Sequence, residues 1–292
     1  MRVGQEGGQM RWQSGDRSNI EDQRASSGRR GAVPIGIGGF VLLLALSWAT
    51  GTDFLSLVGG GGLPTQEAGQ PGELRTTPEE ERMVDFVDAV MADAQSSWEQ
   101  LLGGRYERTR VVLFRDSTQS ACGGADAATG PFYCPGDQKI YLDLGFFAEL
   151  SRRFGAPGDF AQAYVVTHEL GHHVQQLLGL NERATRDRRP GPHSASVALE
   201  LQADCFAGVW GHAASARGRF GAGRVELEPG DAEEALKAAA AIGDDRLQKM
   251  ATGHIQPERF THGTSVQRMQ WFRRGMETGD PSQCDASRAR TE

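Results

Sequence analysis

The 292-residue sequence has no excess of basic residues: 31 Lys and Arg stand against 38 Asp and Glu, a net charge of −7. Nucleic-acid binding needs a cationic face, so this balance argues against that class of partner. Cysteine is scarce, with four in the chain. That is too few for a small disulfide-built scaffold, although an even number can pair in an oxidising compartment. The 39 glycines follow no Gly-X-Y period, which excludes a fibrous repeat, and no longer internal repeat is visible. Aromatic residues make up 8% and hydrophobic residues 38%, enough to build a core and to exclude wholesale disorder.

Charge is also missing locally. Between Gly31 and Thr52 no Asp, Glu, Lys or Arg occurs, and Val33 to Ala49 is dominated by Ile, Val, Leu and Phe. A bilayer is crossed by about 20 such residues. Arg29 and Arg30 precede the run and Asp53 follows it, which predicts a cytoplasmic N-terminus and a body outside. A cleaved signal peptide is the competing reading, but the polar lead is long for one and no Ala-x-Ala site follows. Residues 1–30 show no apolar period and read as a cytoplasmic polar tail. The Gly- and Pro-rich stretch beginning at Gly59 reads as a tether. The expected organisation is therefore a tail (1–30), a transmembrane signal anchor (31–52), a flexible linker (53–75) and one globular domain (76–292). The protein would be a single-pass protein of the cell membrane with an extracytoplasmic domain.

Within the body, Thr77-Pro78-Glu79-Glu80 predicts a helix start, with Thr77 as N-cap, Pro78 at the first position and Glu80 completing a capping box. Apolar residues from Met83 to Leu102 then recur at three- and four-residue steps, and Gly103 closes the helix. Arg110 to Phe114 and Lys139 to Leu144 read as strands. Between them Cys122 and Cys134 bracket a glycine-rich loop that a disulfide would pin. Cys205 and Cys284 are left as a second pair, tying the C-terminal end to a later helix. Asp231 to Ile242 reads as a scaffolding helix with Asp231 as its cap.

A helix from Asp159, with Asp159 as cap, to Gly179 holds His168-Glu169-Leu170-Gly171-His172. On a helix, positions i and i+4 share one face, so both imidazoles can reach one metal ion. Glu169 then lies beside the open coordination position, where it can take a proton from water. His173 points about 100° away from His172 and reads as a bystander or a group supporting the ligands. The two histidines lack a third companion at the H-E-x-x-H-x-x-G-x-x-H spacing, so His193 is a poor candidate. A better one stands on the apolar stretch from Ser196 to Trp210, where Glu200 and Asp204 are one turn apart. Buried carboxylates need a cation or strong donors. A metal would satisfy Glu200, and a ligand imidazole N–H would satisfy Asp204. His212 and His254 have no partner at ligand spacing.

The segments HELGHHVQ, ELQADCFAGVW and FTHGTSVQRMQWF resemble the bacterial family described as putative neutral zinc metallopeptidases. The similarity runs from Met10 nearly to Cys284 and takes in RSNIEDQR, GPFYCPGDQKIYLDL and AIGDDRLQ. It implies a membrane-anchored, gluzincin-like peptidase with one Zn2+ per chain held by His168, His172 and Glu200. The implied fold is α+β and zincin-like, with a small sheet, an active-site helix and a second ligand-bearing helix after one transmembrane helix. Peptide or protein would be the substrate, with Glu169 as general base. A looser similarity, to membrane gluzincins of the CAAX-protease and heat-shock type, rests on the spacing of His262 and Arg268. It implies that His262 contacts the substrate carbonyl, although Gly263 replaces the proline found there; alternatively, Thr261-His262 caps the last helix. Two other functions suit the same residues. One is a catalytically silent, zinc-stabilised binding scaffold; the other is a metal-dependent hydrolase of a non-peptide substrate.

Overall fold

The computed structural model describes residues 10–25, 74, 76–181, 189–218, 225–228 and 230–286. Two compact units divide the chain, Met1–Gln23 with Thr76–Glu292, and Arg24–Arg75. The expected anchor (31–52), and all of the expected linker (53–75) except Leu74, lie outside the described residues. Among those described, no helix is long and apolar enough to cross a membrane.

The first unit is mixed α+β. In chain order it contains β1 (Arg11–Trp12), β2 (Ile20–Asp22), α1 (Pro78–Leu102), β3 (Val111–Phe114), β4 (Ser117–Ser120), β5 (Gly123–Asp126), β6 (Phe132–Cys134) and β7 (Lys139–Asp143). There follow α2 (Gly145–Arg152), α3 (Asp159–Leu177), α4 (Ala195–Gly218), β8 (Val225–Glu226), α5 (Asp231–Ala241), α6 (Asp244–Thr252) and α7 (Ser265–Thr278).

The principal sheet has the order β2-β3-β7-β6, parallel except for the antiparallel edge strand β6. All four residues of β3 are buried because the strand works on both faces. Val111 and Leu113 join the main core, while Val112 and Phe114 join Tyr141 and Cys134 in a smaller cluster, as a period of two requires. The main core is filled by α1, α3, α4 and α5, with Trp98 edge-on to Phe206 and Phe160 against Trp210. Helix α7 crosses α4 almost backbone to backbone. A Cβ on Gly275 would meet the Cys205 carbonyl, and one on Gly208 the Phe272 carbonyl.

Both expected disulfides are present, Cys122–Cys134 and Cys205–Cys284. The first fastens the β4–β5 hairpin to the end of β6; the second fastens α4 to the turn after α7.

Several sequence expectations need correction. The polar tail is not featureless, because β1 pairs with β8 and β2 pairs with β3. The signal overlooked was on α1: Asp88, Asp93 and Gln95 are buried on a mostly apolar helix and therefore demand donors. Asp88 accepts from the backbone N–H groups of Arg17 and Asn19 and from Asn19 Nδ2. Asp93 accepts from Trp210 Nε1 and the Val225 N–H. At the start of α1, Thr77 Oγ1 does accept from the Glu80 N–H, but the Glu80 carboxylate pairs with Arg115. Asp159 and Asp231 are the first helical residues of α3 and α5, following Gly158 and Gly230, so neither is the cap. Glu234 of α5 instead accepts the Phe160 N–H. The last helix is capped by Thr264 with Gln267, not by Thr261-His262.

Candidate metal centre

Helix α3 presents His168 and His172 toward α4, and Gly171 sets how near the two helices come. A Cβ there would lie 3.1 Å from Ala203 Cα. At that separation Glu200 of α4 faces both rings, with Oε2 3.2 Å from His168 Nε2 and Oε1 3.6 Å from His172 Nε2. One donor atom from each of His168, His172 and Glu200 lies within 4.8 Å of the others.

The remaining ring nitrogens decide the tautomers. His168 Nδ1 lies 2.8 Å from Asp204 Oδ1, an acceptor, so Nδ1 carries hydrogen. His172 Nδ1 lies 2.9 Å from Gln175 Oε1. The Gln175 amide is oriented in turn, because its Nε2 donates to the Leu199 carbonyl at 2.7 Å. Both histidines therefore turn Nε2 toward Glu200, which is the arrangement a shared cation needs. Two imidazole nitrogens and a carboxylate oxygen also match the ligand preference of zinc. Sequence reasoning missed Gln175, whose role depends on a contact with another helix.

Charge is organised around this group. Burial disfavours the charged form of His168, but Asp204 and Glu200 outweigh it and push its pKa up to about 9. Glu200 is itself opposed by burial, yet the two histidines and His262 hold it well below the usual carboxylate range. Asp204 is fully buried and accepts from Tyr164 Oη, from His168 and from Arg268 Nε and Nη2 at 2.8 and 2.9 Å. Arg268, whose spacing from His262 carries the looser similarity, is 2% exposed and committed to Asp204, Tyr164 and the Ile242 carbonyl. Its place is behind His168, clamping the acid that holds the imidazole.

Glu169 is buried, and burial raises its pKa. The Tyr133 backbone N–H of edge strand β6 faces its carboxylate and works against that rise. That strand is held by His173, which is neither ligand nor bystander. His173 Nε2 donates to the Glu107 carbonyl at 2.7 Å, leaving Nδ1 to accept from Tyr133 Oη at 3.0 Å.

His262 lines the same cavity as Glu169, His172 and Glu200, a space of about 670 Å³ whose apolar walls include Phe132, Phe146, Phe154 and Leu247. Its Nδ1 lies 3.2 Å from Asp244 Oδ1, a contact that raises the imidazole pKa. Asp244 Oδ2 meanwhile accepts the N–H groups of Thr261, His262 and Gly263. His193 is exposed, and His212 is engaged by the Met276 carbonyl. Among the described residues, the only group of three or more potential metal-holding side chains is His168, His172 and Glu200.

Comparison with known proteins gives a consistent picture. Residues 10–287 match the family described as "putative neutral zinc metallopeptidase". The chain is 42% identical over 293 residues to "Uncharacterized protein YpfJ" of Escherichia coli, covering 94% of this chain and 98% of that one. It is 44% identical over 232 residues to "Uncharacterized protein Rv2575" of Mycobacterium tuberculosis, covering 76% and 78%. No solved structure matches.

Proposed function

Because the chain belongs to the family carrying that metallopeptidase description, we propose that it hydrolyses peptide bonds as a zincin-type enzyme, with His168, His172 and Glu200 holding one zinc ion. The observation that carries this reading is the convergence of those three donors beside the buried Glu169 in an apolar-walled cavity. Three protein ligands leave zinc the open position that a hydrolase requires, whereas a structural site closes with a fourth. A small sheet ahead of the H-E-x-x-H helix and of a second ligand-bearing helix supports the zincin-type reading.

Zinc, when bound, supplies a Lewis acid that polarises a carbonyl and makes water a stronger acid. Glu169 takes the proton from the attacking water and delivers it to the departing amine. Burial raises its proton affinity, which suits a group that must accept and then donate, while the nearby Tyr133 N–H favours its ionised form. His262, tethered through Nδ1 to Asp244, has its other ring nitrogen left to donate to the carbonyl oxygen as charge builds there. Asp204 and Arg268 keep His168 in its ligating tautomer. The apolar walls exclude water and accommodate apolar side chains of a peptide.

Two disulfides suit a compartment outside the cytoplasm, and the charge-free run 31–52 suits membrane attachment. Digestion of an unbiased peptide library by the full chain tests the activity. Cleavage should stop with a chelator and return with zinc. A protein that binds one zinc per chain yet cleaves no peptide would replace this reading with the scaffold or the non-peptide hydrolase.

A further inference from the structure

Residues 10–23 precede the charge-free run, and Thr76 onward follows it, yet both belong to one compact unit. Strand β2 lies parallel to β3 in full register, Ile20 with Val111 and Asp22 with Leu113, and the Gln23 N–H donates to the Leu113 carbonyl at 2.8 Å. Arg17 reaches α1 through Nε to Asp85 and Nη1 to Glu81, each at 2.6 Å. Asn19 is buried between Asp88 and Gln95, bonded to both. Met10 is 3% exposed, and Trp12 packs edge-on to Phe86.

Paired strands are about 4.8 Å apart, whereas the hydrocarbon core of a bilayer is about 30 Å thick. No bilayer can intervene between these partners. We infer that residues 10–23 and the metal centre occupy the same side of the membrane, so that one crossing, or any odd number of crossings, between Asp22 and Thr77 is excluded. The charges flanking the run call for the opposite, a cytoplasmic tail and an exported body. Separating them would strip Asp88, which is fully buried, of three donors and expose one edge of β3. An uncompensated buried carboxylate is costly, so the folded unit overrides the charge bias. Exchanging the segment between two copies changes nothing, because the donated segment must still reach β3. The inference is independent of whether the site cleaves peptides.

Sided labelling of the full chain tests it. Ser14 and Glu277 are exposed, and the four native cysteines are bridged. Ser14→Cys and Glu277→Cys can therefore each be treated with a membrane-impermeant maleimide in spheroplasts and after detergent lysis. Gln13→Cys, also exposed, repeats the first measurement. The two positions should label alike, both before lysis or both only after it. Labelling of one before lysis and of the other only after it would overturn the inference.

Discussion

Replacing Arg268 with Met probes the least accessible part of the site. The guanidinium is 2% exposed and gives Asp204 two hydrogen bonds, at 2.8 and 2.9 Å, with a third to Tyr164 Oη at 3.2 Å. Met keeps much of the volume but leaves Asp204 buried with only Tyr164 and His168 as donors. Removing one partner of such a pair costs about 3–5 kcal/mol. For a domain of this size that corresponds to a fall in Tm of roughly 6–20 °C. Zinc affinity should fall about 10–100-fold as the hold on His168 loosens. Thermal unfolding and zinc competition against a chelating dye measure the two effects. Asp204→Asn, which abolishes the charge, should restore at least about 1 kcal/mol when added to Arg268→Met. An Arg268→Met protein within about 1 kcal/mol of wild type, or a double variant whose loss is the sum of the singles, would refute the clamp.

Gly275→Ala should force α7 from α4 and, because α7 carries Arg268, lower stability by roughly 1–3 kcal/mol and weaken zinc binding in the same protein, measured as above. His173→Phe should leave zinc content unchanged but lower kcat about tenfold, since the strut that sets Tyr133 against Glu169 is lost; an unchanged kcat counts against it. Asp231 is 1% exposed, its Oδ1 has no hydrogen-bond partner among the described residues, and burial raises its pKa to about 6. The unfolded value is near 3.8, so ionisation penalises the folded state increasingly from about pH 4 to pH 6 and fully above that. Asp231→Asn should therefore gain roughly 1–2 kcal/mol at pH 7 and nothing below pH 4 in thermal melts.

What was legible in the sequence was what is encoded locally. The bounds of α1 follow from Thr77, Pro78 and Gly103, and the separation of His168 from His172 follows from helical spacing. Glu200 could be found because two acids on an apolar helix need a cation and a donor, and the structure brings it to the two rings. Residues whose meaning depends on distant partners were not legible. Gln175 matters through Leu199, His173 through Tyr133, and Arg268 through Asp204. The start of α3 looked like a local cap at Asp159, but the Phe160 N–H is satisfied by Glu234 from α5. The tail looked featureless because its strands are two and three residues long, too short to display a period.

The most direct test of the account compares Glu169→Gln with the unaltered chain, measuring zinc stoichiometry and peptide hydrolysis on the same preparations. Gln keeps the shape of the side chain and leaves His168, His172 and Glu200 in place. Both proteins should hold about one zinc per chain, with hydrolysis lowered at least about a hundredfold in the variant. Full hydrolytic activity in Glu169→Gln, or loss of its zinc, would contradict the assignment of Glu169 as the general base of a three-ligand zinc site.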